Sequence, residues 1–225
     1  GRPSVVPVVI AVLFAVELML PELSARTLLP VVLATGTAAY VGRLAFGMSP
    51  AFLVAAHDRP DVFVPLSAEL LPLYVIFGIL SGVASWVFIL VFFRTDAFFE
   101  SLSLNPYLKT AAGMLGVGVI MYLMLRFTGQ YHVAGVGYAT IEAVLTGLLA
   151  APAFLFLLFV LKIVTTSLSL ASGAAGGVFT PSLFLGATFG GAFGGALDLM
   201  FPHLGLHPVI FALIGMATIV GASTS

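Results

Sequence analysis

Long apolar runs separated by short polar stretches dominate the order of residues along this chain. The apolar runs cover residues 5–20, 24–46, 66–102, 106–127, 150–171, 172–201 and 208–220. Several of them exceed the roughly 18–20 apolar residues that a helix needs to cross a bilayer. The pattern therefore predicts an all-α integral membrane fold, a multi-span bundle of tilted and broken helices.

Two stretches depart from this pattern. Residues 135–147 are short and amphipathic, which predicts a helix that does not cross the membrane. Residues 47–65 are the most polar part of the chain, and we expect them to form a loop outside the hydrocarbon.

Residues 66–102 are too many for a perpendicular span, which indicates a tilted helix that continues into the interface. Ser24 is a plausible N-cap, and Pro106 is expected in a first helical turn.

Composition supports the membrane assignment and excludes several classes of protein. Of the 225 residues, 61% are hydrophobic and 8% are charged, whereas a soluble domain carries about 25% charged residues. The net charge of −1 argues against nucleic-acid binding. The absence of cysteine excludes disulfides and thiolate metal sites in these residues. Because the chain begins with glycine and ends on "IVGASTS", we expect a fragment, with residues 1–225 forming part of a single transmembrane domain.

The segment "SGAAGGVFTPSLFLGATFGGAFGG" holds eight of the 24 glycines in residues 172–195. Gly173, Gly176 and Gly177 precede Pro181, which we expect near the first position of a helix. The opening amides of a helix have no acceptor within the helix, and the dipole adds about half a positive charge there. Such a start suits a monovalent anion. Since no lysine or arginine lies within the segment, the ion can also leave.

Close helix packing is the alternative interpretation of these glycines. The spacings Gly186/Gly190, Gly190/Gly194 and Gly191/Gly195 are all GxxxG pairs, which let two backbones approach closely. Packing is the better account for the glycines after Pro181. For residues 176–181 both interpretations stay open.

The sequence resembles the CLC family of chloride channels and chloride/proton antiporters, also called voltage-gated chloride channels. "SGAAGGVFTPSLFLGATFGGAFG" resembles the family's GxFxP region, and "AVLFAVEL", "SARTLLPVVLATGTAAYVGRLAFG", "GVGYATIEAVL", "LLFVLKIVTTSLSLASGAAGG" and "GMATIVGAS" resemble other family segments in the same order. The resemblance covers essentially the whole chain. It implies the CLC inverted-repeat fold, with this chain holding the end of the first repeat and most of the start of the second.

The resemblance also implies a site and partners. The anion-coordinating backbone amides fall on Val178 and Phe179, and Gly177 and Pro181 shape the turn. The family's serine, gating-glutamate and late-tyrosine motifs lie outside these residues. The implied protein is a homodimer in the cell membrane, in contact with lipid, that transports chloride, needs no cofactor and is not an enzyme. Residues 1–46 are expected to contribute to the dimer face.

An acidic residue near the first apolar run bears on proton coupling. Glu17 falls on an acidic position shared widely in the family, and we expect either a structural or a proton-pathway role, or an interfacial carboxylate. Well-known bacterial exchangers carry a second glutamate next to it, where this chain has Leu18. That difference favours passive conduction or weak coupling.

Other polar residues are weaker candidates. Lys162, inside an apolar run, is either an ion-path residue or a residue that snorkels or pairs with a carbonyl, and we favour the second alternative. We expect Glu142 to be solvated or paired with a basic residue. Metal binding is not expected, because a His203–His207 pair lacks an acidic third ligand. Three serines before the glycine turn suit either pore lining or capping: Ser167, Ser169 and Ser172.

Two other functions remain as alternatives. An intramembrane hydrolase would need a motif such as HExxH or GxSxG, and neither occurs in the sequence. A broken-helix carrier of another solute is also compatible with the pattern. Within the family resemblance, another small anion such as fluoride or nitrate could replace chloride.

Overall fold

The computed structural model describes Val12 and residues 25–47, 70–202 and 205–224. In these ranges the regular structure is helical and contains no strand, as the apolar pattern predicts. The expectations for Glu17, Leu18, Ser24 and the loop from residue 48 onward fall outside the described residues. The chain divides into two units, residues 1–51 and residues 52–225.

The first unit contains helix α1, Ala25–Phe46. Pro30 lies inside it. The hydroxyls of Thr35 and Thr37 donate to carbonyls one turn earlier in the same helix, at 2.8 Å in each case. Their polar groups are thereby satisfied inside α1, as the hydrocarbon of a membrane requires.

The second unit contains six helices. They are α2 (Leu71–Ser101), α3 (Pro106–Thr128), α4 (Tyr138–Leu145), α5 (Pro152–Ala171), α6 (Phe179–Met200) and α7 (Pro208–Thr224). Among the described residues, α1, α2, α3, α5 and α6 are long and apolar enough to cross a membrane. The chain therefore forms part of a multi-pass integral membrane protein. The eight residues of α4 are too few to cross, as its sequence predicts.

Helix α2 is the longest element. Its 31 residues span about 46 Å, more than the roughly 30 Å of a hydrocarbon core. A helix of this length must tilt or extend into the interface. Its buried side chains, among them Phe77, Ala84 and Phe88, face α5, α6 and α7.

Local sequence signals set the ends of α3. Pro106 is its first residue, as predicted, and the Asn105 side chain accepts a hydrogen bond from the Tyr107 N–H at 3.1 Å. Gly129, with φ +74°, ends the helix and donates its N–H to the Leu125 carbonyl at 2.9 Å. This is the left-handed termination that glycine favours.

Glycines let the backbone of α6 contact the backbone of α7 directly. A Cβ on Gly190 would overlap the Phe211 carbonyl, and one on Gly186 would overlap the backbone of Gly215 and Met216. Gly194 faces the Cα of Pro208 in the same way. The packing interpretation of these glycines is confirmed, because nothing but hydrogen fits between the two helices at these positions.

On another face, α6 packs against α4 and α5. A Cβ on Gly191 would lie 3.0 Å from Leu155 and Val144, and one on Gly195 would lie 3.0 Å from Pro152. The core beside this contact includes Ile141, Leu158 and Phe184, all fully buried. Helix α6 is thus held on two sides, which fixes where its first turn lies.

Candidate functional site

The chain breaks its helical path between α5 and α6. Helix α5 ends at Ala171, and Gly173 turns the backbone with φ +95°. The N–H of Ala174 closes this turn by donating to the Ser169 carbonyl at 3.1 Å. From there to α6, the N–H groups of Gly176 and Gly177 have no hydrogen-bond acceptor among the described residues.

Helix α6 begins without a side-chain cap. Val178 occupies the N-cap position with φ −89° and ψ −17°, and the first turn carries no acidic residue. The N–H groups of Val178 and Thr180 have no acceptor in the described part of the chain. The start of α6 therefore presents unpaired N–H groups and the positive end of the helix dipole.

Pro181 lies in the first turn of α6, near the helix start, as the sequence analysis expects. Since α6 begins at Phe179, Pro181 is its third residue and not its first. A proline is tolerated at either place because the first N–H groups of a helix have no partner within it. The sequence pattern alone does not distinguish these positions.

A cavity of about 450 Å³ opens beside this start. Its walls come from α3, the loop that follows α3, α5, and the segment that leads into α6. Of the described residues, these line it: Met114, Val117, Met121, Val133, Gly135, Val136, Lys162, Thr165, Thr166, Ser169, Leu170, Ala174, Ala175, Gly176, Gly177, Phe179, Thr180 and Pro181. This lining contains one basic side chain and no carboxylate.

Three of the four residues proposed for anion binding line the cavity. Gly177, Phe179 and Pro181 do so, and a Cβ on Gly177 would meet no atom within 4 Å. Val178 is not among the lining residues, and its side chain packs against the core cluster that contains Phe159 and Leu185. Any contribution from Val178 to the site therefore comes from its backbone, as the sequence analysis proposes.

A hydroxyl pair fixes the first turn of α6. Ser182, fully buried, donates its Oγ–H to the Val178 carbonyl at 2.8 Å. Its Oγ accepts a hydrogen bond from Ser223 Oγ at 2.9 Å. Because Ser223 lies near the end of α7, this pair holds the N-terminal turn of α6 to α7.

Lys162 is buried and binds carbonyl oxygens. Its Nζ donates to the Gly135 carbonyl at 2.6 Å and to the Val133 carbonyl at 3.1 Å. It also lies 4.9 Å from the centre of the Phe184 ring. The carbonyl pairing favoured from the sequence is confirmed, and the same side chain also lines the cavity.

The hydroxyls of α5 divide between lining the cavity and bonding within the helix. Ser169 lines the cavity and donates to the Thr165 carbonyl at 2.8 Å. Ser172 donates to the Ser169 carbonyl at 3.0 Å, and the buried Ser167 hydroxyl has no partner in the described ranges. Of the three serines considered for pore lining, only Ser169 is at the cavity. Thr166 also lines the cavity, and its hydroxyl has no hydrogen-bond partner among the described residues. The sequence analysis did not identify this residue.

The remaining titratable candidates lie elsewhere. Glu142 is half-buried in α4 and makes no ion pair within the described ranges. His132, in the loop after α3, lies edge-on to the Phe154 ring at 5.3 Å, and burial lowers the pKa of this histidine below 6.5. Among the described residues no three histidine or acidic side chains gather at a possible metal site. His203, one member of the histidine pair, lies outside those residues.

The loop wall of the cavity was not predicted from the sequence. Val133, Gly135 and Val136 line the same cavity as the start of α6, and Gly135 and Gly137 take positive φ values of +52° and +77°. The spacing "GVG" was a usable signal, because two glycines at this interval permit a sharp bend. Nothing local in the sequence shows that this bend lies beside α5.

Known proteins resemble the chain along almost all of its length. The family model described as voltage gated chloride channel matches residues 8–225. The H(+)/Cl(-) exchange transporter ClcA of Vibrio parahaemolyticus is 31% identical over 218 residues, which are 94% of this chain and 44% of the relative. The voltage-gated ClC-type chloride channel ClcB of Escherichia coli is 32% identical over 215 residues, 94% of this chain and 48% of the relative. The chain thus spans about half the length of these relatives.

A solved structure shares the fold. A crystal structure of a CLC-type fluoride/proton antiporter superposes with a TM-score of 0.67 at 23% identity, and the match covers 96% of this chain and 49% of the other. At this identity the likeness concerns the arrangement of helices alone. Together with the match to the family model, it identifies the chain as a member of the voltage-gated chloride channel family.

Proposed function

We propose that this chain forms one wall of an anion pathway in a protein that transports chloride across a membrane. The anion is bound by backbone amides at the start of α6, those of Val178 and Phe179. The chain belongs to one transmembrane domain and supplies the end of its first repeat and most of the start of its second. The assembled protein is a homodimer in the cell membrane and needs no cofactor.

One observation carries the proposal: an uncapped helix start adjoins a cavity whose lining includes no carboxylate among the described residues. The first turn offers N–H groups without acceptors, of which Val178 and Thr180 are two. Such groups favour negative charge, and in a low-dielectric interior they need a partner. A chloride ion supplies that partner.

The chemistry of the wall suits passage as well as binding. Peptide N–H groups and threonine hydroxyls replace part of the hydration shell without a fixed countercharge at the ion. Lys162, the basic side chain of the lining, has two of its N–H donors on carbonyl oxygens. The site therefore holds the anion weakly enough to release it, which transport requires.

Among the relatives, the one named as an exchanger and the one named as a channel are almost equally similar to the chain. Leu18, next to Glu17, favours a channel or a weakly coupled exchanger. The full-length protein in proteoliposomes separates the two, with chloride efflux measured with and without a proton gradient. Uphill chloride movement driven by protons would contradict the channel assignment, and no chloride movement at all would contradict the proposed function.

The role of the backbone has its own test. Val178→Pro deletes one N–H, whereas Val178→Ala keeps it and changes only the side chain. A hydrogen bond to a charged group contributes about 1.5–3 kcal/mol, so we expect Val178→Pro to weaken chloride binding by about tenfold or more and Val178→Ala to change it little. Equal loss in both variants would reject binding through the backbone.

Fluoride and nitrate provide the test of ion identity. The superposed structure is that of a fluoride/proton antiporter, so the same flux assay is run with each anion in place of chloride. Transport of fluoride with exclusion of chloride would replace chloride as the substrate and leave the backbone site in place.

A further inference from the structure

Lys162 is buried, has no carboxylate partner among the described residues and binds two carbonyl oxygens, and the proposed anion site does not explain these three features. Its side chain is 3% exposed, and it makes no ion pair with a carboxylate in the described part of the chain. Taking an ammonium out of water costs several kcal/mol unless polar groups replace the water. Two carbonyl oxygens provide that replacement, and both belong to one short loop.

The geometry of that loop serves these two bonds. Val133 and Gly135 are two residues apart, yet both carbonyls point to one nitrogen. The bend uses positive φ at Gly135 and at Gly137, and a Cβ on Gly137 would overlap the Phe184 ring. The same ring lies beside the ammonium. The loop, Phe184 and Lys162 are therefore packed as one cluster.

The carbonyls that Lys162 binds belong to residues of the cavity wall. Val133 and Gly135 both line the cavity, as does the segment that leads into α6. A carbonyl oxygen carries partial negative charge and repels an anion when it is free to face one. Bound to an ammonium, the same oxygen is held in place and its charge is largely offset.

We propose that Lys162 is a positioning residue, which fixes the loop at residues 133–135 and keeps its carbonyl oxygens from facing the anion. The inference rests on the proposed function, because it concerns another part of the wall of the cavity beside the α6 amides. Anion affinity in the cavity then depends on both walls. The α6 start supplies N–H donors, and Lys162 removes competing acceptors.

The test compares Lys162→Met with Lys162→Arg in the full-length protein. Methionine keeps most of the side-chain volume but has no donor, whereas arginine keeps both the charge and the donors. The first measurement is the chloride concentration that gives half-maximal flux, read separately from the maximal rate. The second is hydrogen–deuterium exchange of the amides from residue 130 to residue 141, where Ala134, Thr140 and Ile141 donate to loop carbonyls.

We expect Lys162→Met to raise the half-saturating chloride concentration by about tenfold, as the loss of a charge-assisted hydrogen bond would, and to speed exchange in the loop. Lys162→Arg should restore both. Leu158→Ala, which removes a fully buried side chain of α5 away from the cavity, controls for lost stability and should leave chloride affinity unchanged.

Two results would overturn the inference. If affinity falls while loop exchange is unchanged, Lys162 acts on the ion through its charge and not by holding the loop. If loop exchange rises while affinity is unchanged, its role is structural alone. A wild-type protein without chloride flux would instead contradict the proposed function, and the exchange measurement would still report whether Lys162 holds the loop.

Discussion

Two glycine-rich stretches of similar composition lie a few residues apart, and the structure uses them in opposite ways. From Gly186 to Gly195 the missing side chains are replaced by neighbouring helices, so that a Cβ would overlap protein atoms or press closely against them. At Gly177 a Cβ would meet nothing within 4 Å, and the residue borders a cavity. The first stretch uses glycine for contact, whereas the second leaves space beside the backbone at Gly177.

The difference shows that glycine content alone does not identify a binding segment. What separates the two stretches is the hydrogen bonding of the backbone. Residues 186–195 lie within α6, where helical bonds satisfy the N–H groups, whereas several N–H groups from Gly176 to Thr180 have no acceptor among the described residues. Backbone N–H groups can bind an anion only where they have no acceptor within the protein.

The largest expected effect comes from the same substitution made in each stretch. Gly190→Ala places a methyl group against the Phe211 backbone, which cannot move aside as a side chain would. Overpacking of this kind costs about 1–3 kcal/mol, so we expect a lower midpoint of thermal unfolding in detergent. Gly177→Ala should leave the midpoint unchanged or slightly higher. Similar destabilisation by both would remove the distinction between the stretches.

The second prediction fills the space beside Gly177. Gly177→Leu places a bulky side chain in the cavity, where we expect it to reduce chloride flux by about tenfold, equivalent to about 1.4 kcal/mol, without lowering thermal stability. Gly118→Leu is the matched control, since Gly118 also has nothing within 4 Å of its Cβ but does not line the cavity. If flux is equally reduced in the control, or unchanged in Gly177→Leu, the cavity is not part of the anion pathway.

A third prediction concerns the hydroxyl pair that joins the first turn of α6, between the two stretches, to α7. Ser182→Ala removes the hydroxyl that joins the Val178 carbonyl to Ser223. A hydrogen bond of this kind contributes about 1 kcal/mol, which we expect as loss of unfolding free energy together with weaker chloride binding. Thr188→Val is the control, because the Thr188 hydroxyl bonds only within α6. Loss of stability without loss of affinity would show that the pair does not position the site.

The smallest effect is expected from pH and involves His132, in the loop that follows α3. Burial against Phe154 lowers the pKa of His132 below 6.5. As pH falls below 6.5, the unfolded chain binds a proton that the folded chain resists, so stability decreases until the folded pKa is passed. We expect the unfolding midpoint of His132→Asn to fall less than that of the wild type between pH 7 and pH 5. Parallel curves would show that this histidine is not desolvated.

Most of the helices were predictable because their signals are local. Apolar length located the spans, Pro106 marked the start of α3, and the GxxxG spacing predicted close helix packing along α6. The short α4 followed from its length. These features depend on neighbours within a few residues along the chain.

The candidate site was predictable only in part. The turn before α6 was found because its glycines and proline adjoin in sequence, but the position of Pro181 within the helix was not. The partners of Lys162 lie 27 and 29 residues away. Such contacts arise from the packing of α5 against the loop, which no local pattern records.

The uncapped start of α6 has a consequence for how this wall changes with mutation. If the anion binds to peptide groups, as proposed, most codon changes at position 178 replace a side chain and leave the electrostatics at the ion almost unaltered. Selectivity that rests on main-chain atoms would therefore change little in most single-residue variants. Replacing one amide by an ester, which substitutes oxygen for the N–H, would remove a single donor and leave every side chain unchanged.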